Sequence, residues 1–289
     1  MLVLSATGLL SQQSDFPKLT GPYLGQKPPG MIPEAFAPEL RSTMVGYAFS
    51  SAGVELYFGS LSGIMFSRQE NGRWTEPQTA PFSGRYHDFD FNFSPDGASL
   101  FFTSNRPLMK DEAPQNQYDI WVVHRTETGW SEPINIGLPV NTEQNEVYPS
   151  VSKNGNLYFF RDMRGGTATA ADIYCSKFVD GHYTTPEKLG DEINSEFPDI
   201  DPFIAPDESY LILHSFRQDG LGRADLYISF RKNDGTWIRA LNMGDKINTA
   251  GGDISGRVSP DGKYFFFTRS SKPYWVSANI IEEFRSKEL

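Results

Sequence analysis

The stretch Phe89-Asp90-Phe91-Asn92-Phe93-Ser94-Pro95-Asp96-Gly97 decides the fold, together with the apolar run at 100–103, Ser104-Asn105-Arg106 and Asp119-Ile120-Trp121 that follow it. Its centre reads as a tight turn. Pro is pre-set for the first central position, Asp tolerates the second, and Gly accepts a positive φ at the exit. The aromatic residues at alternate positions before the turn read as one face of a strand. The same turn recurs as Ser50-Ser51-Ala52-Gly53, Ser152-Lys153-Asn154-Gly155, Ala205-Pro206-Asp207-Glu208 and Ser259-Pro260-Asp261-Gly262. The last residues of the five copies lie 44, 58, 53 and 54 positions apart. A period near fifty with strands on either side of each turn is that of a propeller blade.

Two further strands complete each copy. A third opens at Asp119-Ile120-Trp121, Asp172-Ile173-Tyr174 and Asp225-Leu226-Tyr227, with Gly63-Ile64-Met65 and Tyr274-Trp275-Val276 in the divergent first and last copies. A fourth opens at Trp74, Trp130, Tyr183 and Trp237, whose repetition reads as outer-strand packing. A fourth-strand-like segment, Pro33-Glu34-Ala35-Phe36-Ala37-Pro38, precedes the first turn, and none follows 274–278. The N-terminal strand is therefore expected to complete the last blade, which removes the open edges of a linear array. The sequence predicts an all-β chain: a five-bladed β-propeller of four-stranded antiparallel blades over residues 33–289. Six blades would need a sixth repeat that the sequence does not show.

Residues 1–32 read differently. The apolar start at 1–10 resembles the back half of a secretory signal peptide without its basic beginning, and it is too short to span a bilayer as a helix. Residues 16–31, with Pro17, Pro22, Pro28 and Pro29, read as an extended linker. This points to a periplasmic or secreted protein. The 36 acidic against 26 basic residues, a net charge of −10, argue against nucleic acid or an anionic membrane as partner. The single cysteine, Cys175, allows no intrachain disulfide and reads as a small buried hydrophobe in a strand.

The Ser-Pro-Asp-Gly turn, apolar strand, Ser-x-Arg and Asp-Ile-Tyr/Trp succession resembles the TolB-like, WD-like β-propeller repeat family. The resemblance covers about residues 33–289. It implies a propeller that binds partners in the bacterial envelope more than it implies an activity. Propellers of this kind also gate attached peptidases, but the chain shows no Gly-x-Ser-x-Gly elbow. Sialidase-type loops place a residue between Asp and Gly, whereas Gly directly follows Asp96 and Asp261.

Two sets of polar residues repeat with the blades. Arg106, Arg164 and Arg217 lie twelve positions after the first turn residue and precede Asp119, Asp172 and Asp225, so three ion pairs within blades are expected, Arg106–Asp119, Arg164–Asp172 and Arg217–Asp225. Six positions before the turn lie Asp88, Glu146, Asp199 and Asp253, with Met44 in the first copy; four before it lie Asp90, Tyr148, Asp201, Ser255 and Gly46. Period two places both sets on one strand face, and on the innermost strand this face would line one mouth of the channel. The leading carboxylates have three readings: structural acceptors, a polar-ligand or calcium-like cation site, or a paired acid and base for glycoside hydrolysis. His87, beside Asp88, would stand at the same mouth. No histidine spacing suggests a metal ligand set. The function expected is a non-enzymatic binding or scaffold protein that recognises a protein or glycan at the channel face. The alternative is a glycoside hydrolase-like enzyme using the mouth carboxylates.

Overall fold

In the computed structural model, residues 16–38, 45–109, 112–162 and 171–288 are described. They build five antiparallel blades around one axis. The innermost strands are Val45–Phe49, Asp88–Phe93, Asn145–Val151, Asp199–Ile204 and Asp253–Val258. Each turns back through the repeated hairpin into a second strand, as Asp88–Phe93 does into Ser99–Ser104. The turn chemistry is as the sequence implies: Ser94 Oγ donates to Asp96 Oδ1 at 2.6 Å, and Gly97 has φ +71°. Where the fourth copy carries Glu208 at φ +58°, its carboxylate is held by Arg231 and by Asn156 Nδ2.

The outer strands are short and interrupted. In the first blade Trp74 pairs with the end of Gly63–Glu70, Pro77 breaks the ladder, and Gln78–Thr79 resumes it. A proline has no N–H to donate, so it suits this break at the edge. The last blade closes as expected: Glu34 pairs with Trp275 and Ala35 with Tyr274. Phe36 then sits among Tyr47, Phe49, Phe266 and Trp275, with ring centroids 5.0–6.2 Å away. Burial of such a ring is worth about 1.5–3 kcal/mol, and this one contacts both blades that meet at the seam.

The segment read as a linker is part of the folded body. Thr20 bridges Arg73, Trp74 Nε1 donates to Gly21 O at 2.8 Å, and Tyr23 and Leu24 are buried in the seam cluster. The prolines set an extended path, yet apolar side chains between them fasten that path to the first and last blades. At the other terminus, Ile280–Glu288 forms a helix that buries Ile280, Ile281 and Phe284 against the core shared by the last two blades. Residues 1–15, including the apolar start, lie outside the described residues, as does Met44.

Candidate functional site

The innermost strands all begin at one end of the ring, which also carries the connections between second and third strands; this is the upper face. The four leading carboxylates stand there, and each is buried. Asp88 accepts from Arg106 Nη2 at 2.7 Å, Ser104 Oγ at 2.6 Å and Ser83 Oγ at 2.8 Å. Glu146 accepts from Arg161 Nε at 2.8 Å, Thr142 Oγ1 at 2.6 Å and Thr142 N at 2.9 Å. Asp199 accepts from Arg217 Nη2 at 2.8 Å and Ser195 Oγ at 2.7 Å. Asp253 accepts from Arg269 Nε at 2.8 Å and Thr249 Oγ1 at 2.8 Å.

These pairs correct the expected ones. Arg106 and Arg217 turn inward to Asp88 and Asp199, away from Asp119 and Asp225. Asp119 and Asp225 instead accept from the fourth strand, through Asn135 Nδ2 at 2.8 Å and Asn242 Nδ2 at 2.9 Å. Asp172 pairs with Lys188, also of the fourth strand, at 2.7 Å. Arg164 lies outside the described residues, and in its blade Arg161 holds the leading carboxylate. The reason is a second acceptor on the inner side. Each arginine also donates to a carbonyl of the connection entering its own blade: Phe82 O, Val140 O, Ile193 O and Ile247 O, at 2.7–3.1 Å.

The same connections hold a motif that the sequence reading passed over. Val140-Asn141-Thr142, Ile193-Asn194-Ser195 and Ile247-Asn248-Thr249 each end four residues before a leading carboxylate. The asparagine clamps the third strand of the preceding blade, as Asn194 does by accepting from Ile173 N at 2.7 Å and donating to Ile173 O at 3.0 Å. Asn141 and Asn248 repeat this on Ile120 and Leu226. The hydroxyl residue then holds the carboxylate of the next blade. The signal was present as a recurring [Val/Ile]-Asn-[Ser/Thr] spaced from an acid, and it staples one blade to the next.

The second set of positions lies elsewhere. Gly46, Asp90, Tyr148, Asp201 and Ser255 have φ between +43° and +61°, and the hairpin register shifts at each of them. They are β-bulges. A bulge breaks the period of two, so Asp88 and Asp90 do not share one face, nor do Asp199 and Asp201. The bulged residues and their neighbours meet at the axis. Ser255 Oγ donates to Asp201 Oδ2 at 2.8 Å. His214 Nδ1 lies 3.2 Å from the same oxygen, close enough for attraction though not aligned for a hydrogen bond. Arg257 spans the channel from the last blade, donating to Phe91 O at 2.9 Å and to Tyr148 Oη at 2.5 Å. Enclosure by protein, and next the charge of Asp201, hold the Asp90 carboxyl well above the usual carboxylate range against the pull of Arg257. Below this crossing lies a cavity of ≈ 110 Å³ bordered by Tyr47, Asn92, Ser150 and Phe203.

His87 stays at the upper rim, stacked on Phe89 with its Nδ1 3.0 Å from Tyr118 Oη. Cys175 is half-buried and its thiol is pushed up to about 11, chiefly by burial, which suits an inert strand residue. Among the described residues no group of three or more His, Cys, Asp or Glu side chains is arranged to hold a metal ion. No described helix is long and apolar enough to cross a membrane.

No family model and no curated protein matches the chain. Solved structures do. A protein described as TolB from Agrobacterium tumefaciens aligns at 19% identity over 82% of this chain and 69% of that one, with a TM-score of 0.50. TolB from Acinetobacter baumannii aligns at 14% identity over 80% of this chain and 53% of that one, with a TM-score of 0.48. The endo-arabinase from Bacteroides thetaiotaomicron VPI-5482 aligns at 14% identity over 90% and 97%, also with a TM-score of 0.48. At these identities the likeness bears on the fold, and the TolB from Agrobacterium tumefaciens shares it with this chain.

Proposed function

We propose that this chain is a non-catalytic binding propeller of the bacterial envelope, periplasmic or secreted, which recognises a protein partner at its upper face. One observation carries the reading: each leading carboxylate is closed into an ion pair of its own blade. Glycoside hydrolysis at the mouth would need one carboxyl to donate and another to act on a shared substrate space, and these four face their own arginines. The same face instead presents Leu108 and Met109 from the second blade and Phe216 and Leu221 from the fourth, between 39% and 66% exposed. Large apolar side chains left in water beside a polar rim suit protein docking. The TolB-like repeat pattern and the apolar start of the sequence support an envelope setting. The test is affinity capture from an envelope extract with wild type and a Leu108→Ser, Met109→Ser, Phe216→Ser variant. A partner held by wild type and lost by the variant supports the reading, and equal capture by both contradicts it.

A second reading is favoured by the axial pair alone. Asp90, whose carboxyl is held well above the usual carboxylate range by burial and by the charge of Asp201, resembles the acid half of a glycosidase pair. Hydrolysis of an aryl glycoside by wild type that disappears in Asp90→Asn would establish it.

A further inference from the structure

Beyond the protein-docking reading, and independent of it, we infer that the polar pocket at the junction of the third and fourth blades is a binding site for a neutral saccharide. The pocket has a volume of ≈ 580 Å³ and opens on the upper face, bordered by Phe197, Arg217, Gln218, Asp219 and Arg239. That size is in the range of sites for small molecules, about 300–1,000 Å³.

The independent sign of a ligand is a set of unsatisfied groups. Arg217 is only 8% exposed, and its Nε has no hydrogen-bond partner. In the second blade the matching Arg106 Nε donates to Ser104 Oγ at 3.0 Å. In the fourth, Ser215 Oγ points to Pro198 O instead, and Arg217 Nε is left over. A second orphan atom, Asp225 Oδ1, lies beneath the same connection, residues 216–224, behind the pocket lining. Buried groups without partners are uncommon, and the one on Arg217 faces no partner within its own blade.

The charge pattern selects the ligand. Lys188 and Arg217 are already paired with Asp172 and Asp199, so the lining presents Arg239 against Asp191, Glu196 and Asp219. An anion would meet excess carboxylate. A metal ion finds no suitable donor set among the described residues. A sugar hydroxyl both donates and accepts, so it can satisfy carboxylate and guanidinium neighbours together. The half-buried ring of Phe197 offers a flat apolar wall for the C–H face of a pyranose or furanose.

The test is calorimetric titration of the whole chain with malto-, cello-, xylo- and arabinotriose, with trigalacturonate as the acidic comparator. At least one neutral trisaccharide is expected to bind with a Kd of about 0.1–10 mM, a weak affinity of about 3–5 kcal/mol. Phe197→Ala and Asp219→Asn, both at the pocket surface, should each weaken it about tenfold with unchanged thermal unfolding. The Leu108→Ser, Met109→Ser, Phe216→Ser variant should keep it, which separates this site from the protein-docking reading. No neutral trisaccharide bound at tenfold above that range, binding indifferent to both pocket variants, or preference for trigalacturonate would overturn the inference.

Discussion

The leading carboxylates and the axial residues sit two positions apart on the same strands, yet they follow opposite rules. At the leading position the chemistry repeats: acid, arginine, hydroxyl and backbone carbonyl recur in four blades with distances within a few tenths of an ångström. At the axial position the backbone repeats and the chemistry does not. Five left-handed bulges carry Gly46, Asp90, Tyr148, Asp201 and Ser255. Residues that recur with the blade build the ring. Residues that vary on a repeated backbone give the centre its individual character, here an acid pair crossed by Arg257.

The comparison breaks most visibly if a leading pair is cut. Asp199→Asn leaves Arg217 buried without its counter-charge, and removing one partner of a buried pair costs about 3–5 kcal/mol; urea unfolding should show that loss. A neutral effect would mean that the pair does not hold the blade. Next in size is the blade staple. Asn194→Ala strands Ile173 N inside the protein, while Ile173 O keeps the Leu189 N–H, and an orphaned buried group costs about 1–3 kcal/mol. Loss of that order in urea, with faster exchange at the Ile173 amide, is the expected result.

The axial position should respond with the opposite sign. The Asp90 carboxyl is held up in the folded chain, so above the unfolded value the unfolded state releases a proton that the folded state keeps. Stability therefore falls as pH rises from about 4 toward the folded pKa. Asp90→Asn should raise the melting temperature at pH 7.5 and lose its advantage near pH 4. A pH-independent difference would remove Asp90 from that role. The smallest effect on stability belongs to the exposed upper loops. Leu108→Ser should change it by no more than about 0.5 kcal/mol, while weakening capture of the protein partner.

Much of the ring was legible because turns and strand periods are local. Gly97, Gly155 and Gly262 at the turn exits mark the hairpins, and the segment around Phe36 marks closure. Partner choice was not local. Ser104 stands in register with Asp88 on one side and Asp119 on the other, and Ser215 with Asp199 and Asp225. Spacing along the chain alone could not decide which acid takes Arg106 or Arg217. The carbonyls of Phe82 and Ile193 decide it, and they belong to connections that the strand pattern leaves blank. The bulges were hidden for a related reason: a period-two reading has no mark for the residue that breaks it. Only Gly46 carries the usual sign of a positive φ.

The contrast between the two positions is tested most directly by one paired measurement: urea unfolding of Asp253→Asn and Asp90→Asn against wild type at pH 7.5. Asp253→Asn, which strands Arg269, should lose about 3–5 kcal/mol, and Asp90→Asn should gain stability. Two variants that shift in the same direction would contradict the division between residues that build the ring and residues that occupy its centre.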